Sequence, residues 1–196
     1  MFMKMTASRG AHIRVRRSFG YWHHGIYIDD NRVIQFGGRI CDKLRATVEV
    51  VSLDGFSRSA DVEVVVHSAG RQLFGPVGPP GIPEEIVHRA EWLLLNHPAG
   101  RYNLIGWNCE TAATFCVNGF RESSQVRRIF AALWLLALPL VAALLAAKKP
   151  SRWLLIPIWS LFSLLLPSLW AYKYFSARIW RDLEDRWEED HPALQI

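Results

Sequence analysis

The stretch Trp22-His23-His24-Gly25-Ile26-Tyr27-Ile28-Asp29-Asp30-Asn31-Arg32-Val33-Ile34-Gln35-Phe36 sets two runs of β-branched and aromatic residues around a cluster of turn formers. Such a pattern predicts a β-hairpin, with strands over 22–28 and 32–36. Upstream, the alternation of Ile13 and Val15 with polar residues predicts a strand over 12–17. Downstream, 47–53 and 61–67 are two more β-branched runs, separated by a turn at Asp54-Gly55. Residues 75–81 are rich in Pro and Gly and are expected to form a loop.

Helices follow the strands. Pro83 suits the first helical position, where its missing N–H costs nothing. Ile86, Ala90, Leu93, Leu94 and His97 then mark one face, and Pro98 ends the run. Asn108 is placed to cap a second helix and Gly119 to stop it. Strands first and helices after them argue for an α+β domain.

Charge is unevenly placed along the 196 residues. Residues 1–9 form an N-terminal tail and 10–128 a globular domain. Residues 129–173 hold two apolar runs, 130–147 and 154–172, of 18 and 19 residues without a charge. A helix needs about 17–25 such residues to cross a bilayer, so a C-terminal transmembrane helical hairpin is expected. Seven basic residues between Arg121 and Arg186 lie on the domain side of the runs, against Lys148, Lys149 and Arg152 in the connecting loop. That bias places the domain in the cytoplasm; a basic loop also fits a hairpin that dips into one leaflet. Residues 174–196 form an amphipathic, acidic tail, with Ile179, Trp180, Leu183 and Trp187 on one face.

The net charge is +5, but the arginines flank the apolar runs rather than form blocks, which favours an anionic lipid surface over nucleic acid. Three cysteines, Cys41, Cys109 and Cys116, make no disulfide framework and match no zinc spacing. So few cysteines make a reducing compartment the simpler reading, and the N-terminus lacks the apolar core of a signal peptide, so the domain is not expected to be exported. No metal or organic cofactor is implied.

Cys109, directly after a capping asparagine, falls in the first turn of a helix. There the macrodipole favours a thiolate, and the N–H groups around Asn108, Cys109 and Glu110 can face an oxyanion. Read alone, it is more simply a buried, inert thiol; Cys116, seven residues on, is expected in the core. A nucleophilic thiol needs a base, and His23 and His24 are adjacent on a strand, so only one of them can face a given cleft. Gln35 lies across the hairpin at the parity to project beside that base. His12, His67, His88, His97 and His191 are expected at the solvated surface.

Taken together, His23-His24-Gly25-Ile26-Tyr27-Ile28, Val33-Ile34-Gln35-Phe36, Tyr102-Asn103-Leu104, Asn108-Cys109-Glu110, Phe115-Cys116, Gly119 and Ser123-Ser124-Gln125-Val126 resemble the lecithin:retinol acyltransferase (LRAT) domain family. The resemblance covers about residues 10–128. It implies a permuted papain-like antiparallel sheet with packed helices, related to NlpC-type peptidases. It assigns the nucleophile to Cys109, the base to His23 and the orienting group to Gln35, with His24 facing away. It implies an enzyme that takes an acyl group from a phospholipid ester as a thioester and passes it on, held on a membrane by a C-terminal apolar segment. The acyl-lipid substrate and the phospholipid membrane are then its partners; the acceptor is unspecified. Two positions depart from the family pattern, which usually has histidine where Gln35 and Thr111 stand. A cysteine amidase or peptidase, and a membrane scaffold with a silent dyad, are the competing readings.

Overall fold

The computed structural model describes residues 7–37, 46–67, 70–72, 75–77, 79–96, 102, 107–119 and 123–126, with scattered positions between 128 and 191. The chain divides into two compact units, Met1–Gln125 and Val126–Ile196. The first is an α+β unit built on a five-stranded antiparallel sheet.

The expected hairpin is its centre. β2 (Trp22–Asp29) and β3 (Arg32–Gly37) are joined by Asp30 and Asn31, both at positive φ (39° and 67°). Two left-handed residues in a two-residue turn match the right-handed twist of the strands, and Asp and Asn tolerate that conformation best. β1 (His12–Arg16) pairs with β2 on one side, and β4 (Thr47–Ser52) with β3 on the other. β5 (Val62–Val64) closes the order β4-β3-β2-β1-β5.

Two elements differ from expectation. The Asp54-Gly55 turn is the inside of a short helix, α1 (Leu53–Ser57), whose start is capped by the Ser52 side chain accepting from the Gly55 N–H at 3.0 Å. The segment expected as a loop from Gly75 contributes β7 (Gly75–Val77), which pairs with β6 (Gly70–Gln72) as a separate ribbon. The glycines mark strand ends there rather than a structureless stretch.

Alternation sorts the sheet into two faces. Ile13, Val15 and Val33 sit on one, sealed by Phe56 of α1, and all four side chains are fully buried. Gly25 lies among them because a β-carbon would run into Val33 and the Phe56 ring. On the other face, Ile26, Ile34 and Phe36 meet α2 (Pro83–Asn96) and α3 (Cys109–Asn118). α2 starts at Pro83 and buries Ile86, Val87, Ala90 and Leu93. It is tied to α3 by Arg89, which donates to the Cys116 carbonyl at 3.2 Å, and by the Gly81 N–H, which donates to the Val117 carbonyl at 2.8 Å.

Among the described residues no helix is long and apolar enough to cross a membrane. The expected span 154–172 lies outside the described residues, as does most of 130–147. In the second unit Leu183 is buried, while Asp185, Glu189 and Asp190 are exposed.

Candidate active site

α3 begins at Cys109 because Asn108, extended at φ −119° and ψ 178°, caps it. Asn108 Oδ1 accepts from the N–H groups of Glu110 (2.9 Å) and Thr111 (3.0 Å). Thr111 reciprocates: its hydroxyl accepts from the Asn108 N–H and donates to the Asn108 carbonyl, both at 2.8 Å. Threonine in place of the family's histidine therefore completes a capping box. The Glu110 N–H, expected to face an oxyanion, is committed to the cap. Gly119 ends the helix at φ 72°, its N–H donating to the Phe115 carbonyl.

Asn108→Ala is expected to cost about 1 kcal/mol, the usual worth of such a cap. A urea unfolding midpoint that does not move would show the cap to be idle.

The Cys109 thiol is buried and points at the Trp22 carbonyl, 3.9 Å away, so the sulfur lies against the backbone next to His23. Cys116 is the contrast. Burial pushes its thiol up to about 12, which keeps it protonated and inert at neutral pH. Polar groups missed in the sequence surround Cys109. Burial and then the neighbouring sulfur raise the Tyr102 phenol, and the same two causes in the same order raise Tyr21. Arg17 is lowered by burial and by Arg58, against the opposing pull of Tyr21 and Cys109. Tyr102 opens a block already singled out, and Tyr21 lies two residues before His23; position beside those residues was the only signal.

His23 and His24 point to opposite faces. The His23 ring packs on Phe56 with centroids 5.3 Å apart. Its Nε2 lies 2.7 Å from Gln35 Oε1, within the sheet face where Gly25 pairs with Gln35. Gln35 in turn donates from Nε2 to Glu49 Oε1 at 2.8 Å.

His24 is engaged at both nitrogens. Its Nδ1 is 2.8 Å from His12 Nε2, and its Nε2 is 3.2 Å from Gln125 Nε2. An amide nitrogen only donates, and Gln125 shares its two hydrogens among His24, the Trp22 carbonyl and Glu110, so His24 Nε2 accepts and Nδ1 carries the proton. The proton order then runs on: His24 donates to His12, and His12 Nδ1 donates to His67 Nε2 at 2.7 Å. Burial lowers all three imidazoles, His24 to about 4, and like-charge neighbours lower His12 further. The surface reading of His12 is thus corrected: it is 3% exposed. His67 is half-buried on the same chain, because pairing of β1 with β5 brings the two together. His191 is also half-buried, stacked on Trp187, while His88 is exposed as expected and His97 lies outside the described residues.

Glu110 closes the construction. Its carboxylate accepts from the Ser123 hydroxyl, the Ser124 N–H and hydroxyl, and the Gln125 N–H and side-chain amide, at 2.5–3.2 Å. Burial opposes its charge, but His24 and these donors prevail and hold the carboxyl below its ordinary range. Gln125 also brackets Trp22, accepting from its N–H at 3.0 Å and donating to its carbonyl at 3.2 Å. The start of α3 and the start of β2 are thereby tied through one glutamine.

The site thus sets a cysteine at a helix start against a strand that bears a histidine oriented by an amide and a carboxylate. The family model for lecithin retinol acyltransferase matches residues 5–122, and the chain belongs to that family. No curated protein matches the chain closely enough to be named as a relative. Membership places the chain among acyltransferase and phospholipase-type enzymes in general terms.

Proposed function

We propose that this protein is a membrane-anchored thiol acyltransferase or phospholipase A-type hydrolase, acting on phospholipid acyl esters through a thioester on Cys109. The observation that carries the reading is the orientation of His23. Its Nε2 faces Gln35 Oε1, which puts the lone pair on Nδ1, on a strand whose adjacent Trp22 carbonyl receives the Cys109 thiol. His24, with its Nδ1 on His12 and its Nε2 against Gln125, is unsuited to the role.

In the first half-reaction His23 Nδ1 takes the Cys109 proton and the sulfur attacks the ester carbonyl. The Cys109 N–H at the helix start, bonded to Tyr102 before substrate enters, turns to the developing oxyanion. The Tyr102 hydroxyl, held protonated by burial, is a second donor beside the sulfur. The C–O bond breaks, and His23 returns the proton to the leaving lysolipid oxygen. In the second half an acceptor O–H or N–H gives its proton to His23 as it attacks the thioester, and the thiol is regenerated. Anchoring of the domain on the cytoplasmic side would hold this site at an insoluble substrate.

Intact mass after incubation of the detergent-purified protein with a defined phosphatidylcholine tests the proposal. One acyl adduct, labile to thiols and absent from Cys109→Ala, is expected. Lysolipid release by Cys109→Ala at the wild-type rate would overturn it.

A further inference from the structure

Glu49 on β4 stands directly opposite Gln35 on β3. A carboxylate only accepts and an amide nitrogen only donates. The 2.8 Å contact between them therefore fixes Gln35 with its nitrogen toward Glu49 and its oxygen toward His23. An oxygen at that place accepts, so His23 carries its proton on Nε2. Without the carboxylate, a half-turn about the last side-chain bond exchanges the oxygen and nitrogen of Gln35, two groups of nearly equal size. The NH2 would then face Nε2, and the imidazole proton would move to Nδ1. The backbone leaves space for the pair: a β-carbon on Gly37, the next residue of β3 on that face, would overlap Glu49 Oε1 and Gln35 Nε2.

We infer that Glu49 is a positioning residue which, through Gln35, selects the His23 tautomer able to take the Cys109 proton. The inference rests on the reading of His23 as the base. Glutamine is ambiguous where a carboxylate is not, and Glu49 removes the ambiguity. It also sets a negative charge one amide away from the imidazolium that forms during turnover.

The test is made on the full chain with 15N-labelled histidine and by the rate of Cys109 alkylation at neutral pH. Wild type should show His23 as the Nε2–H tautomer. Glu49→Ala should shift it toward Nδ1–H and slow alkylation about 10–100-fold, below the ~10⁴ seen when a serine-protease triad is locked in the wrong tautomer, because a rotating amide spends part of its time correctly placed. Gly37→Ala, which forces the pair apart with Glu49 still present, should move the tautomer the same way. Gln35→Glu added to Glu49→Ala should restore both readouts, since a carboxylate at 35 has only acceptors to offer. A merely structural Glu49 would leave the tautomer unchanged, or would cost as much in the Gln35→Glu background; either result overturns the inference. Neither readout needs an acyl donor. Failure of the lipid to acylate a wild type with the expected tautomer coupling would count against the acyl substrate and leave Glu49's role standing.

Discussion

Replacing His23 with alanine is expected to lower the rate of Cys109 acylation by about 10²–10⁴, the usual contribution of a positioned general base. The same substitution one residue later should behave differently. His24→Ala leaves His12 and Gln125, both otherwise held in the buried network, short of a partner. An unsatisfied buried group costs about 1–3 kcal/mol, so the second variant should lose folding stability first and activity only as a consequence. Acylation rate and urea midpoint, measured side by side, separate the two. Equal rate losses with equal stabilities would mean that the two histidines had been assigned the wrong faces.

Acid is expected to destabilise the first unit well before ordinary acid denaturation. His12, His24 and His67 are held neutral by burial, below their ordinary value of 6.5. Above that value neither the folded nor the unfolded chain protonates them, and stability is complete. As pH falls below 6.5 the unfolded chain takes up protons that the folded chain refuses, so stability drains away until the folded values are passed. For His24, which titrates near 4, the loss by that pH is on the order of 3 kcal/mol. Glu110 adds to it below 4.5, since its folded carboxyl also resists protonation. The urea midpoint should therefore drop between pH 6.5 and 4; a midpoint flat from pH 7 to pH 5 would show that the imidazoles are not held neutral.

What could be read in advance was whatever short-range patterns encode. The Asp30-Asn31 turn, the Pro83 start of α2 and the Asn108 and Gly119 ends of α3 each carry their signal within four residues. Parity across the two-residue turn was enough to bring Gln35 to His23. Glu49 was not legible, because its register against Gln35 depends on the chain between β3 and β4, which no local rule sets. His12 and His67, 55 residues apart, meet only once β1 has paired with β5. α1 was hidden by composition: Asp54-Gly55 reads as a turn, and the capping Ser52 sits inside a β-branched run.

The two departures from the family pattern argue for a working site. Thr111 builds a reciprocal cap at the helix start that carries Cys109. Gln35 is itself held by a carboxylate. Neither position carries the signs of a dyad left to decay, such as an unpartnered polar group.

The attachment of Ser123, Ser124 and Gln125 to Glu110, and of Gln125 to Trp22, also has a mechanical meaning. Gln125 is the last residue of the first unit, and the backbone runs on from it. Tension entering along the chain is delivered at once to the helix start that carries Cys109 and to the strand that carries His23. Sulfur and imidazole are thus loaded as one body, and a pull from the C-terminal segment is shared between them rather than prising one from the other.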